Sequence, residues 1–246
     1  MQSDTPSLAR RWGPGRAKAI LVLVAAVTFT LSPLFTSGFN GFDPQAFPVP
    51  QDSPPVQPAG YAFSIWGLIY AWLILHAGYG LFARAGDPGW DAGRWPLFLS
   101  LGLGTGWIAL ANASPVMATI VIWLMLIGAL TALMLAPRKE RLFAQAPLAL
   151  YAGWLTAASW VSVGLLLAGY GVMSPWAAAL TTLPLATLFA LAVQIRLHRA
   201  PEYAGTVIWA LIAVIVANAG AFWSVAVIAG AGALALAGAG LWAARR

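Results

Sequence analysis

The side chains on which this chain could build chemistry are mostly aromatic and seldom ionisable. Well inside its long apolar stretches there is no Asp, Glu, Lys or Arg, and the one titratable candidate is His76. Ionisable groups in hydrocarbon are costly and therefore mark proton relays, ion paths and substrate sites. Proton-coupled pumping and acid/base hydrolysis thus lack their usual machinery. His76 is either a haem-type ligand, a pH-sensitive group or a lone helix histidine hydrogen-bonded to its neighbour. With His198 it makes only 2 histidines, and cysteine is absent. No structural metal, disulfide or Cys nucleophile is expected.

The aromatic set is large: 13 Trp, 11 Phe and 6 Tyr. Trp12, Trp90, Trp95, Trp176 and Trp242 fall near the ends of apolar runs, where an aromatic belt explains them. Trp66, Trp72, Trp107, Trp123, Trp154, Trp160 and Trp209 fall deeper. An indole N–H inside a membrane must find a partner, so deep tryptophans need a reason. Converging between helices they would suit a flat, apolar, conjugated ligand; the alternative is helix packing by bulky residues.

The elements that must position these rings are membrane helices. Of the 246 residues 61% are hydrophobic and 8% charged, against about 45–50% and about 25% in soluble domains. So little polar surface excludes a soluble enzyme or a disordered chain. The 13 Lys and Arg, net charge +6, sit in short clusters at the ends of apolar runs and form no basic face, so no nucleic-acid partner is expected.

Eight runs approach the ~20 residues that a span needs: 17–36, 59–83, 95–111, 115–136, 143–169, 175–195, 203–218 and 221–243. Every cation falls at alternate junctions: the N-terminal cluster, Arg84 and Arg94, then 138–141, then Arg196 and Arg199, and finally Arg245 and Arg246. By the positive-inside rule both termini are cytoplasmic. The fold expected is all-α, a polytopic bundle of about eight transmembrane helices in a bacterial inner or plasma membrane. It divides into a cytoplasmic tail (1–16), a five-helix core (17–170) and a three-helix extension (171–246). Residues 203–243 are split at Asn218-Ala219-Gly220, because about 41 residues make roughly 60 Å of helix, two bilayer cores. The proline-rich segment 37–58 either folds over the outer mouth of the bundle or is an ordinary linker.

Gly102 and Gly106, and the row Ala229, Ala233 and Ala237, mark close helix contacts, within the bundle or across a homodimer. Pro184 should kink the sixth span, with Thr181 available to bond a freed carbonyl. Leu75, Tyr79 and Arg84 fit a weak cholesterol-contact pattern.

At the second span the chain reads Pro58-Ala59-Gly60-Tyr61-Ala62-Phe63-Ser64-Ile65-Trp66-Gly67-Leu68-Ile69-Tyr70. This resembles the TspO/MBR family, the tryptophan-rich sensory proteins related to the translocator protein, and especially its longer bacterial and plant branch. Pro147 followed by Tyr151-Ala152-Gly153-Trp154 is similar to the Tyr-x-x-Trp of the family's last core helix, and Trp107 matches the third-helix Trp. The resemblance covers roughly 17–170. Two family asparagines are replaced, by Gly104 and Ser162, which removes polar groups that would orient a ligand. The basic sterol-contact end of the fifth helix is missing.

The resemblance implies a ligand pocket formed by the loop before the second helix with Tyr61, Phe63, Trp66, Tyr70, Trp107, Tyr151 and Trp154. The implied ligand is a porphyrin or similar planar apolar molecule, with no cofactor required. The expected function is a membrane sensor or receptor for such a ligand. The alternatives are a transporter of it, or a structural membrane protein with no small ligand. No catalytic residue is expected, porphyrin breakdown being implied only by the resemblance.

Overall fold

The computed structural model describes residues 14–36 and 39–245. The tail through residue 13, with Arg10, Arg11 and Trp12, and the terminal Arg246 lie outside the described residues. Eight long helices follow one another: α1 Pro14–Leu31, α2 Ile65–Phe82, α3 Arg94–Ala113, α4 Pro115–Leu135, α5 Ala146–Gly169, α6 Pro175–Leu197, α7 Glu202–Asn218 and α8 Trp223–Ala244. Each coincides with an expected run, and no strand occurs among the described residues. Seven stretches of 21 to 29 residues are long and apolar enough to cross a membrane. The exception is α7, whose 17 residues make a rod of about 25 Å, short of a bilayer core of about 30 Å.

Local chemistry sets the breaks. Ser114 and Ser174 accept the backbone N–H groups of Met117 and Ala177, each followed by a proline in the first helical turn, so α4 and α6 begin where α3 and the preceding turn must stop. Asn218 ends α7 and donates to the Pro55 carbonyl at 2.9 Å. The division of residues 203–243 is thereby tied to the proline-rich loop.

The helices form two rings that share one member. In the first, α1 packs on α2 and α3, α3 on α4, and α4 and α2 on α5; in the second, α5 packs on α6 and α7, which both pack on α8. From Ala146 to Ala157 every residue of α5 is buried, all the way round the helix, as a helix central to the bundle requires. Two hydroxyl relays fix it. Tyr151 donates to Ser100 (3.0 Å) and Ser100 to the Met125 carbonyl (2.7 Å), joining α5 to α3 and α4. On the other side Tyr203 of α7 donates to Thr156 (2.9 Å), whose hydroxyl is given to Ala152. Gly153 lets α7 approach, since a Cβ there would stand 2.7 Å from the Tyr203 carbonyl.

The cationic junctions gather at one end of the bundle. There the buried Arg94 donates to the carbonyls of Gly15, Gly80, Arg84 and Ala85 and to Asp91. Arg84 pairs with Glu140, which also accepts the Trp90 indole N–H. Trp90, expected in the interfacial belt, is instead buried and stacked on His76 at 5.1 Å. Its indole is drawn inward by that carboxylate. The His76 ring nitrogen meets the Phe143 carbonyl at 2.7 Å, the neighbour-bonded reading of that histidine.

Two further expectations are corrected. Gly102 and Gly106 face open space, so this pair makes no contact within the chain. The close α3–α4 crossing falls at Gly128, where a Cβ would stand 2.7 Å from the Pro96 carbonyl. Thr181 donates to Ala177, not to the Leu180 carbonyl that Pro184 leaves without an amide partner, because its own residue four back is the nearer acceptor.

Candidate functional site

At the opposite end, residues 39–64 fold over the first ring rather than trailing as a linker. Asp43 caps a short turn at Pro44–Ala46, and the loop is then fastened at three points. Val49 N–H donates to Gly169 of α5 (2.9 Å) and Ala59 N–H to Ala213 of α7 (3.1 Å), besides the Asn218 bond to Pro55. The Phe47 ring occupies the place of a side chain at Gly169, where a Cβ would come within 2.3 Å of it. Gly41, at φ +120°, provides a backbone turn that other residues resist. Phe39 stands edge-on to Trp107 at 4.8 Å, and Phe42 bridges Phe39 (5.4 Å) and Phe47 (6.0 Å). Rings and turns thus make a roof.

Under it is a cavity of about 350 Å³. Its walls are Phe29 of α1, Trp66 and Tyr70 of α2, Trp107 and Ile108 of α3, Ile122 and Met125 of α4, Leu155 of α5, and Phe39, Asn40, Tyr61, Phe63 and Ser64 of the roof. Trp66 and Tyr70 stack at 5.1 Å, one helical turn apart, and present two parallel rings. Phe39, Phe63 and Trp107 form a partition; behind them a smaller chamber of about 40 Å³ reaches Trp154, Val161 and Ser162. The cavity opens where Asn40, Tyr61 and Ser64 are exposed. Among the described residues no Asp, Glu, Lys, Arg or His lines either chamber.

Of the seven residues expected at the site, Tyr61, Phe63, Trp66, Tyr70 and Trp107 line the larger cavity and Trp154 the smaller chamber. Tyr151 lines neither. It is fully buried behind Phe29 and Trp66, at 5.8 and 6.5 Å between rings, with its hydroxyl committed to Ser100. Trp107 is fixed by its N–H on the Ala118 carbonyl (2.9 Å). Among the described residues the Trp66 indole N–H and the Tyr70 hydroxyl, by contrast, make no hydrogen bond. The other deep tryptophans serve packing: Trp123 and Trp160 meet Phe189 where the two rings adjoin, Trp72 donates to Leu142, and Trp209 donates to Ala62 while holding Tyr61 edge-on.

Sequence reasoning missed Phe29. A Cβ on Gly104 would lie 2.7 Å from the Phe29 ring and 3.0 Å from the Met125 methyl, so the bare position admits an aromatic from α1. Phe29 then stands edge-on to both Trp66 (5.7 Å) and Tyr70 (5.2 Å). The missing side chain at 104 was the signal, since a glycine facing a bundle core makes room for something. Ser162, the second departure from the asparagine pattern, gives its hydroxyl to Ala158.

A family model described as TSPO-like protein matches residues 19–242. This chain belongs to that family. The match runs from α1 to α8, beyond the five helices whose motifs carry the resemblance, and with the apolar helices it makes the chain a multi-pass TspO-type membrane protein. Neither the curated proteins nor the solved structures offer a match to it.

Proposed function

We propose that this TspO-type protein is a membrane receptor whose roofed cavity takes up a planar, hydrophobic ligand of the porphyrin class. The carrying observation is the pair Trp66 and Tyr70. Two stacked rings line the cavity with an indole N–H and a hydroxyl that no group among the described residues accepts or satisfies, while the surrounding rings are held in place. Such a wall binds by stacking and area burial and orients by two hydrogen bonds. Without charge in the lining, anionic substituents such as propionates have to sit at the exposed rim beside Asn40, Tyr61 and Ser64. The cavity is at the low end of the ligand-pocket range, so a full macrocycle requires the Phe39 roof to lift. Binding rather than turnover is the reading, since the lining offers no general base. The positive-inside rule puts the cationic end, and with it both chain ends, in the cytoplasm, leaving the roof outside.

The test is a titration of the protein in lipid nanodiscs with protoporphyrin, read by porphyrin emission against protein-free nanodiscs. Saturable binding is expected, weakened about tenfold by Trp66→Leu and about fivefold by Tyr70→Phe. Binding equal to the lipid control, or unchanged in both variants, would remove this function.

A further inference from the structure

The cationic end holds a second cavity that shares no residue with the aromatic one. It is an open cleft of about 930 Å³ where the ends of α4, α6 and α8 meet the starts of α5 and α7. Arg138, Arg141, Arg196 and Arg199 line it. They come from two separate junctions, so no single basic run in the sequence contains all four.

Their surroundings differ in a telling way. Arg141 is paired with Glu202. Arg199 donates to the carbonyls of Leu133, Met134 and Ala136 at 3.0 to 3.1 Å, closing the last turn of α4. Arg138 and Arg196 are exposed and make neither ion pair nor side-chain hydrogen bond among the described residues. Burial, and then the like charge of Arg138, lower the pKa of Arg199. Cations gathered this way repel one another unless an anion lies between them. Guanidinium forks match phosphate oxygens in geometry as well as charge. The rest of the wall mixes polar Gln145 and His198 with apolar residues, of which Met134 and Ala244 face outward and continue onto exposed Leu135 of α4 and Leu241 of α8.

We propose that this cleft binds the phosphate of an anionic phospholipid headgroup, whose acyl chains lie along the outer faces of α4 and α8. A soluble phosphate ester shares the headgroup chemistry, but the exposed apolar strip from Met134 and Ala244 to Leu135 and Leu241 has a use only for a ligand with chains. Basic clefts between helices at the membrane surface are suited to such headgroups.

The full-length protein in neutral detergent is titrated with dioleoylphosphatidylglycerol, with dioleoylphosphatidylcholine and with glycerol 3-phosphate, binding being read as the rise in thermal midpoint. Saturable stabilisation by the anionic lipid alone is expected. Arg138→Gln and Arg196→Gln should each weaken it about fivefold, and neither residue supports the fold, so both variants keep their unliganded midpoint. Arg16→Gln, which removes an exposed charge from α1 at the same end but outside the cleft, should leave it unchanged. Equal weakening by Arg16→Gln would show general surface attraction and overturn the site. So would equal stabilisation by the choline lipid, and glycerol 3-phosphate acting at the lipid's concentration would replace the lipid by a soluble ester.

Discussion

At the cationic end, Arg94 reaches four backbone carbonyls and Asp91 while Arg199 closes α4; at the roofed end, Phe39, Phe42 and Phe47 close the bundle ring against ring, with Asp43 and Asp52 turned outward. Both ends solve the same problem, since terminal carbonyls and loop amides must be satisfied without open water. Concentrating the cations at one end lets guanidinium groups meet several carbonyls at once. The other end has none among the described residues and relies on aromatic packing. Each cavity inherits the chemistry of its end, uncharged under the roof and arginine-lined in the cleft.

Breaking the cationic closure should have the largest effect. Arg94→Ala takes the guanidinium from four carbonyls, of which Gly80's is buried, and leaves Asp91 with Lys18 as its cation; it is expected to cost about 3 kcal/mol, measured by denaturation of the folded bundle in mixed micelles. A loss below about 1 kcal/mol would mean that water substitutes for the guanidinium and that the two ends are less different than their contacts imply. The corresponding break at the aromatic end is Gly104→Asn. An amide forced against Phe29 and Met125 should cost about 1–3 kcal/mol and lower the affinity of a planar probe in the cavity. Unchanged stability with tighter binding would show that Phe29 yields and that the wall is polar-tolerant.

Acid should act on one end alone. The Arg84 guanidinium holds the Glu140 carboxyl below the usual carboxylate range. Because the folded value is the lower one, the pair's contribution is fully present above the unfolded value of about 4.3 and is lost as pH falls through the folded value. Stability measured against pH should therefore fall below about pH 4, less steeply in Glu140→Gln, while probe affinity in the uncharged cavity stays flat from about pH 5 to 8. The smallest effect is expected at Ala200. Its φ of 52° places a side chain in the left-handed region, and Ala200→Gly should stabilise by about 0.5–1 kcal/mol after the added chain entropy. Destabilisation would show that the methyl group's burial outweighs the strain.

The eight helices were legible because hydropathy and the alternation of cations act directly on the chain, residue by residue. Which helices touch was not. A span such as 143–169 reads as apolar whether it faces lipid or protein, so the central place of α5 could not be seen from composition. The same ambiguity explains the site. The tyrosine and tryptophan of Tyr151-Ala152-Gly153-Trp154 sit three positions apart, nearly one turn, yet one ring is locked into a hydroxyl relay and the other lines a chamber. Phe29 was invisible because a single Phe in an apolar run has no pattern of its own. Arg94 was placed correctly at a cationic junction, but its burial follows from four carbonyls contributed by α1, α2 and the turn after it, which only the packed fold brings together.

The roof rests on the first ring and is fastened to α7 of the second through Ala59, Pro55 and Trp209. This makes it a lever arm between two rings that also share α5. A ligand that binds with the arm raised must, by thermodynamic reciprocity, also loosen the arm's grip on α7, and anything that grips α7 from outside shifts the ligand's affinity by the same factor. Occupancy under the rings could thus be read at a distance without any residue carrying a signal through the core of α5.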